Sequence, residues 1–137
     1  MTEKDYSATP LPRKLGIKEG HHVALVNEPQ PFRKALRPLP DGVEIGSGSR
    51  GGSLDVAVLF VTHLTELRKR FPSLARAVFP DGGLWIAWPK VASKIDTDLD
   101  FDAVQELGLA AGLVDNKSAS LTDAYQGLRF VYRLTDR

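Results

Sequence analysis

Residues 82–94, GGLWIAWPKVASK, constrain the fold more than any other stretch. Five consecutive apolar residues, Leu84 to Trp88, are entered through two glycines and left through Pro89 and Lys90. Successive side chains of a strand point to opposite faces, so a run apolar on both faces asks for a sheet covered on both sides. Alternation puts Trp85 and Ala87 on one face and Leu84, Ile86 and Trp88 on the other. One indole is expected under a helix, and Trp88 at the strand tip, where it forms an aromatic wall beside Lys90. Residues 54–61, LDVAVLFV, are nearly as continuous and are expected at the sheet centre.

The other elements follow from period and punctuation. A β-branched-rich run from about His22 to Val26 reads as the first strand. Phe32, Ala35, Leu36 and Leu39 give a short helical face over 30–39, fenced by Pro31 and Pro38. Residues 42–45 form a short second strand. Leu64, Leu67, Phe71, Leu74, Ala75 and Val78 recur at three and four residues, an amphipathic helix over 62–79 with a break or restart at Pro72. Asp98 or Asp100 caps a further helix to about Ala111, with Phe101, Val104 and Leu107 inward and Gly112 as terminator. Residues 113–121 and 128–134 make a closing antiparallel hairpin, joined by six to seven residues that include Asp123 and Gly127. The pattern is α/β, a Rossmann-like three-layer α/β/α sandwich with a mostly parallel sheet of about six strands. One connection resists it. Parallel neighbours need a crossover of about a dozen residues, yet only 46–53 separate the second strand from the third. Either a glycine-rich strap returns across the sheet end, or the second strand is not parallel.

A chain of 137 residues fits one domain on the usual size prior. Residues 1–14, with two prolines and little apolar content, are expected as a flexible arm, and 15–137 as a single α/β domain. No apolar run approaches a bilayer span and the first residues lack a signal-peptide core, so a soluble cytoplasmic protein is expected. The chain has no cysteine, which removes disulfides, thiolate zinc sites and cysteine nucleophiles. A net charge of +1 gives no global reason to expect nucleic acid.

Residues 10–18 (PLPRKLGIK), 54–62 (LDVAVLFVT), 82–90 (GGLWIAWPK), 112–117 (GLVDNK) and 127–134 (GLRFVYRL) resemble the bacterial domain of unknown function 3052 family. The run of elements resembles the class I methyltransferase-like branch of the Rossmann-like folds. The resemblance implies a fold and carries no activity with it. Working methyltransferases place a glycine-rich loop after strand one and an acid at the end of strand two to hold S-adenosylmethionine. Here strand one exits into Asn27-Glu28-Pro29-Gln30-Pro31, without glycine and with two amides removed, and Glu44 lies inside strand two. No cofactor is expected.

Motif matches fail on context. Residues 46–52 fit G-x-G-x-x-G but lead into a strand rather than a helix, so they read as a mobile strap or turn, with an anion site at the free amides and Arg50 as the lesser alternative. Asp96, Asp98, Asp100 and Asp102 lack the glycine and glutamate of a calcium loop and read as acids at a helix start. His21 and His22 point to opposite faces, so no three-histidine metal site with His63 is expected. The basic face of Arg68, Lys69, Arg70 and Arg76 reads as solvated surface, and nucleic acid is not an expected partner.

If the strands are parallel, one sheet edge gathers Asn27, Glu28, Thr62, His63, Trp88 and Lys90, the candidate ligand-binding residues, with none assigned to catalysis. The favoured expectation is a non-catalytic methyltransferase-like domain binding a small anionic ligand or a protein partner there. The alternatives are an enzyme, either a degenerate S-adenosylmethionine-dependent methyltransferase or an acid/base catalyst using His63, and a module that self-associates into a homodimer through an edge strand.

Overall fold

The computed structural model describes residues 9–46 and 53–137. Helix α1 (Leu11–Leu15) and strand β1 (His22–Val26) are followed by α2 (Gln30–Ala35), β2 (Glu44–Gly46) and β3 (Val56–Phe60). Then come α3 (Leu64–Val78), β4 (Gly83–Pro89), a 3-10 turn (Val91–Ser93), α4 (Phe101–Ala110), β5 (Leu113–Ser120) and β6 (Tyr125–Tyr132). The six strands lie in the order β2-β1-β3-β4-β6-β5. Strands β2, β1, β3 and β4 are parallel, and β6 runs antiparallel to both β4 and β5. This is the Rossmann-like α/β architecture with its terminal hairpin.

The apolar run that fixes the fold is wholly interior, every residue of β4 being buried. Leu84, Ile86 and Trp88 meet Leu67, Phe71 and Val78 of α3 and Val104 of α4 on one face. Trp85 and Ala87 meet Leu15 of α1, with Phe32 of α2 and Leu36 at its end, on the other. Each large apolar side chain so buried contributes about 1.5–3 kcal/mol, which is why these two faces define the three layers. The Trp85 Nε1 proton, which burial would otherwise strand, is donated to Leu15 O at 3.1 Å and ties α1 to the sheet.

Several boundaries differ from the sequence expectation. Residues 11–14 of the expected arm are helical, in a helix that runs on to Leu15 with Pro12 and Leu15 buried; proline at the first turn forfeits no bond. Helix α2 stops at Ala35, short of Leu39. Helix α3 runs through Pro72 without a break, because Pro72 is exposed and the carbonyl it leaves unbonded, that of Arg68, is on the solvent side. Strand β6 begins at Tyr125, so only residues 121–124 form the hairpin loop. Gly127 therefore sits inside the strand, opposite Ala87 and Ala119. A methyl group there would fall 2.8 Å from the Leu121 side chain and 3.0 Å from Trp85, a close approach that only glycine permits.

Strand β2 is parallel to β1, Glu44 pairing with His22, which excludes an antiparallel second strand. The connection back to β3, and with it the strap expected there and its alternative anion site around Arg50, falls on residues 47–52, outside the described residues.

Candidate functional site

Parallel strands β1, β3 and β4 end at one edge, and the chain leaves β1 toward β2 on one side and resumes as β3 on the other. The β1/β3 boundary is thus the topological switch point, where open α/β sheets hold ligands in the crevice beyond their carboxyl ends. Asn27 and Glu28 follow β1, Thr62 and His63 follow β3, and Lys90 follows β4.

The crevice is filled by the chain itself. Asn27, in the left-handed region at φ 60, donates from Nδ2 to Phe60 O at 3.3 Å and to Glu66 Oε2 at 2.8 Å. The segment between the 3-10 turn and α4 then straps across the end of β3. Thr97 Oγ1 donates to Thr62 O at 2.5 Å, Asp98 Oδ1 accepts from Leu64 N at 2.8 Å, and Asp96 Oδ2 meets His63 Nε2 at 3.3 Å. The first free amide of α3, with the positive end of its dipole, is therefore occupied by a carboxylate of the same chain.

Of the residues expected at the edge, Thr62 and His63 are held by this strap, while Asn27 is tied to Phe60 and Glu66 instead. Glu28 turns away to Arg33 Nη2 at 3.1 Å and is not a free base. Lys90 faces the hairpin, its Nζ donating to Ser120 Oγ at 2.6 Å. Trp88 is only 2% exposed, so its indole is floor rather than wall, covered by Leu99 and edge-on to Phe101 with ring centroids 6.5 Å apart. Phe101, expected inward, is 43% exposed and Val91 is 93% exposed. With Lys90 and Ser120 they rim a depression of about 490 Å³ whose floor includes Trp88. Glu44 begins β2 and pairs with His22 at 3.4 Å, so it lies at the amino end of its strand, away from this edge.

His63 contacts Thr62 Oγ1 through Nδ1 at 2.9 Å and Asp96 through Nε2, a hydroxyl–imidazole–carboxylate chain. Its carboxylate is 97% exposed, so little holds the imidazole in one orientation, and the neighbouring Leu64 amide that could stabilise an oxyanion is bound to Asp98. The alternating acids have separate duties: Asp96 to His63, Asp98 to α3, and Asp100 to the start of α4, where its carboxylate accepts from Ala103 N at 2.8 Å. His21 accepts from Lys18 N while His22 faces Glu44. Among the described residues no group of three or more such side chains could hold a metal ion. Nor is any described helix long and apolar enough to cross a membrane.

Glu66, Thr97 and Ser120 were missed by sequence reasoning, Asp96 was read only as a helix-start acid, and of the two capping candidates for α4, Asp98 or Asp100, Asp98 serves α3 instead. Their partners stand about 30 or more residues away in the chain, and no spacing rule reaches across that gap.

No family model and no curated protein matches the chain. Solved structures do. A SAM dependent methyltransferase from Aquifex aeolicus is 17% identical at TM-score 0.50, with 94% of this chain and 96% of that one covered. The B. subtilis M1A22 tRNA methyltransferase TrmK is 12% identical at TM-score 0.54, covering 91% of this chain and 66% of that one. The O-methyltransferase NcsB1 from neocarzinostatin biosynthesis is 11% identical at TM-score 0.56, with 83% of this chain covered. The present chain spans about half of that enzyme's length, 49%. At such identities the likeness is one of fold.

Proposed function

We propose that this methyltransferase-like domain is a non-catalytic binding module whose recognition surface lies at the exit of β4. The observation that carries the reading is the strap: Asp96, Thr97 and Asp98 occupy the switch-point crevice with bonds to His63, Thr62 and Leu64. A cofactor entering there must break all three. Pro29 and Pro31, at the N-cap and first turn of α2, remove amides that would otherwise face it. The segments at 82–90 and 112–117 support membership of the domain of unknown function 3052 family, and the family brings no activity with it.

Recognition at the β4 exit is supported by apolar residues left in water beside a cation. Val91 and Phe101 stand exposed next to Lys90, and solvent-facing apolar groups clustered beside a depression mark interaction surfaces. The occupant that fits is a protein segment with an acidic residue beside an apolar one. Selection of a random peptide library on the whole domain should enrich such sequences, and Val91→Asp with Lys90→Glu should abolish the enrichment. Enrichment indifferent to both substitutions overturns the surface. In a thermal-shift titration S-adenosylmethionine should leave the midpoint unmoved, whereas a ligand at 100 times its dissociation constant adds about 2.7 kcal/mol.

The Thr62–His63–Asp96 chain favours one second reading, a hydrolase using His63 as base. Covalent labelling of Thr62 by an acyl-transfer probe, lost in His63→Ala, would establish it in place of the first.

A further inference from the structure

A guanidinium lacking a counter-charge sits on the flank of the sheet that carries α1. Arg129 of β6 stands opposite Trp85 of β4, and its head group lies back along β4 over Gly83. A methyl group at Gly83 would fall 2.5 Å from Nε and 2.6 Å from Nη2, so the absence of a side chain there is what admits the guanidinium. Nη1 donates to Asn116 Oδ1 at 3.3 Å, and Nε is buried with no partner. Among the described residues Arg129 forms no ion pair. The side chain is half-buried, a cation partly withdrawn from water without a carboxylate is disfavoured, and an unsatisfied buried donor calls for a missing partner. The protein opposes this charge further: burial, and then repulsion from Arg137, lower the Arg129 pKa from its usual value.

The surroundings are built for an anion. Arg129 opens on a depression of about 480 Å³ also lined by Lys14, Lys18 and Lys117, with Asp55 and Asp81 as its carboxylates. Four cations therefore face two acids. Asp55 Oδ2 is already committed to the His22 amide at 2.8 Å. The lysines spend hydrogen bonds on carbonyls, Lys117 Nζ on Lys14 O at 2.8 Å and Lys14 Nζ on Ser120 O at 3.2 Å, which leaves their charges uncancelled. A β-bulge between Asp115 and Lys117 adds Asn116 to β5, and such bulges re-aim side chains. Here the extra residue supplies the amide that orients the guanidinium. A fork of N–H donors flanked by ammonium groups, with about two charges to spare, matches a phosphate dianion better than a single carboxylate.

We propose that this depression is a second binding site, one that takes the phosphate group of a small phosphorylated molecule, with Arg129 as the fork and Lys18 and Lys117 as flanking charges. It is independent of the β4 exit and of the reading given to that surface.

The test is an NMR titration of the ¹⁵N-labelled whole domain with inorganic phosphate at constant ionic strength. The expected result is a saturable shift of the Arg129 Nε–H resonance together with the Lys117 amide. Gly83→Ala, which expels the guanidinium while keeping its charge, and Arg129→Lys should each weaken binding about tenfold or more, the loss of a charge-assisted bond or two. Lys117→Ala should weaken it several-fold, and Lys90→Ala should leave it unchanged. No saturable shift at Arg129 in the unsubstituted protein overturns the proposal, as does an affinity in both Gly83→Ala and Arg129→Lys that equals that of the unsubstituted protein. Since the first readout needs no variant, a substitution that fails to fold does not shield the proposal.

Discussion

Gly108, in the last turn of α4, is buried, and the Phe130 ring occupies the place where its side chain would be. Gly108→Ala gains helix propensity and still should destabilise the domain by about 1–3 kcal/mol, since the methyl group overpacks an aromatic contact; chemical denaturation measures it. Tyr132 makes a pH-dependent contribution. Its Oη donates to Ala75 O at 2.7 Å, and burial, only partly offset by Arg76, raises its pKa. As pH climbs past about 10 the unfolded chain releases this proton first. The unfolded state then binds fewer protons than the folded one, so stability falls as pH rises through that window. Tyr132→Phe should cost about 0.5–1.5 kcal/mol at neutral pH and flatten the alkaline decline in melting temperature. At this scale the sequence was partly legible. Alternation assigned Trp85 and Trp88 to the correct faces, but the cover over Trp88 comes from Leu99 and Phe101, more than ten residues on, and periodicity cannot see it.

The strap over residues 96–98 acts between elements, joining the end of β3 and the start of α3 to the approach to α4. Asp98→Ala removes the acceptor for the Leu64 amide, so amide exchange at Leu64 should speed markedly. Global stability should fall by about 0.5–2 kcal/mol, the usual range for a lost helix cap; exchange and denaturation read the two effects separately. An unchanged Leu64 exchange rate would remove the strap's role in closing the crevice. Most elements were legible because β1, β3, α3 and α4 carry strong apolar periods. Two of the misreadings share one cause: residues known as breakers were read locally. Pro72 lies within α3 because its lost bond faces solvent, and Gly127 lies within β6 because Trp85 and Leu121 need its space.

Across the whole molecule, the sheet has two open edges of unequal character. Strand β2 contributes three residues, all paired to β1. Strand β5 is longer but carries the bulge at Asn116 with Lys117 beside it, features that discourage strand addition. Sedimentation at high concentration is therefore expected to show the mass of a single chain, and a dimer abolished by proline substitution within β5 would reverse that expectation. The parallel core and the terminal hairpin were readable from order and patterning alone. The division of the candidate edge was not, because Glu28, His63 and Lys90 choose partners on different elements and only three-dimensional packing selects among them. The bond from Trp85 to Leu15 has one more consequence. An indole whose one hydrogen bond among the described residues goes to the last residue of α1 is an optical gauge of that helix's attachment. With Trp88 replaced by phenylalanine, the emission colour of the remaining tryptophan would report α1 loosening from the sheet before the sheet itself gives way.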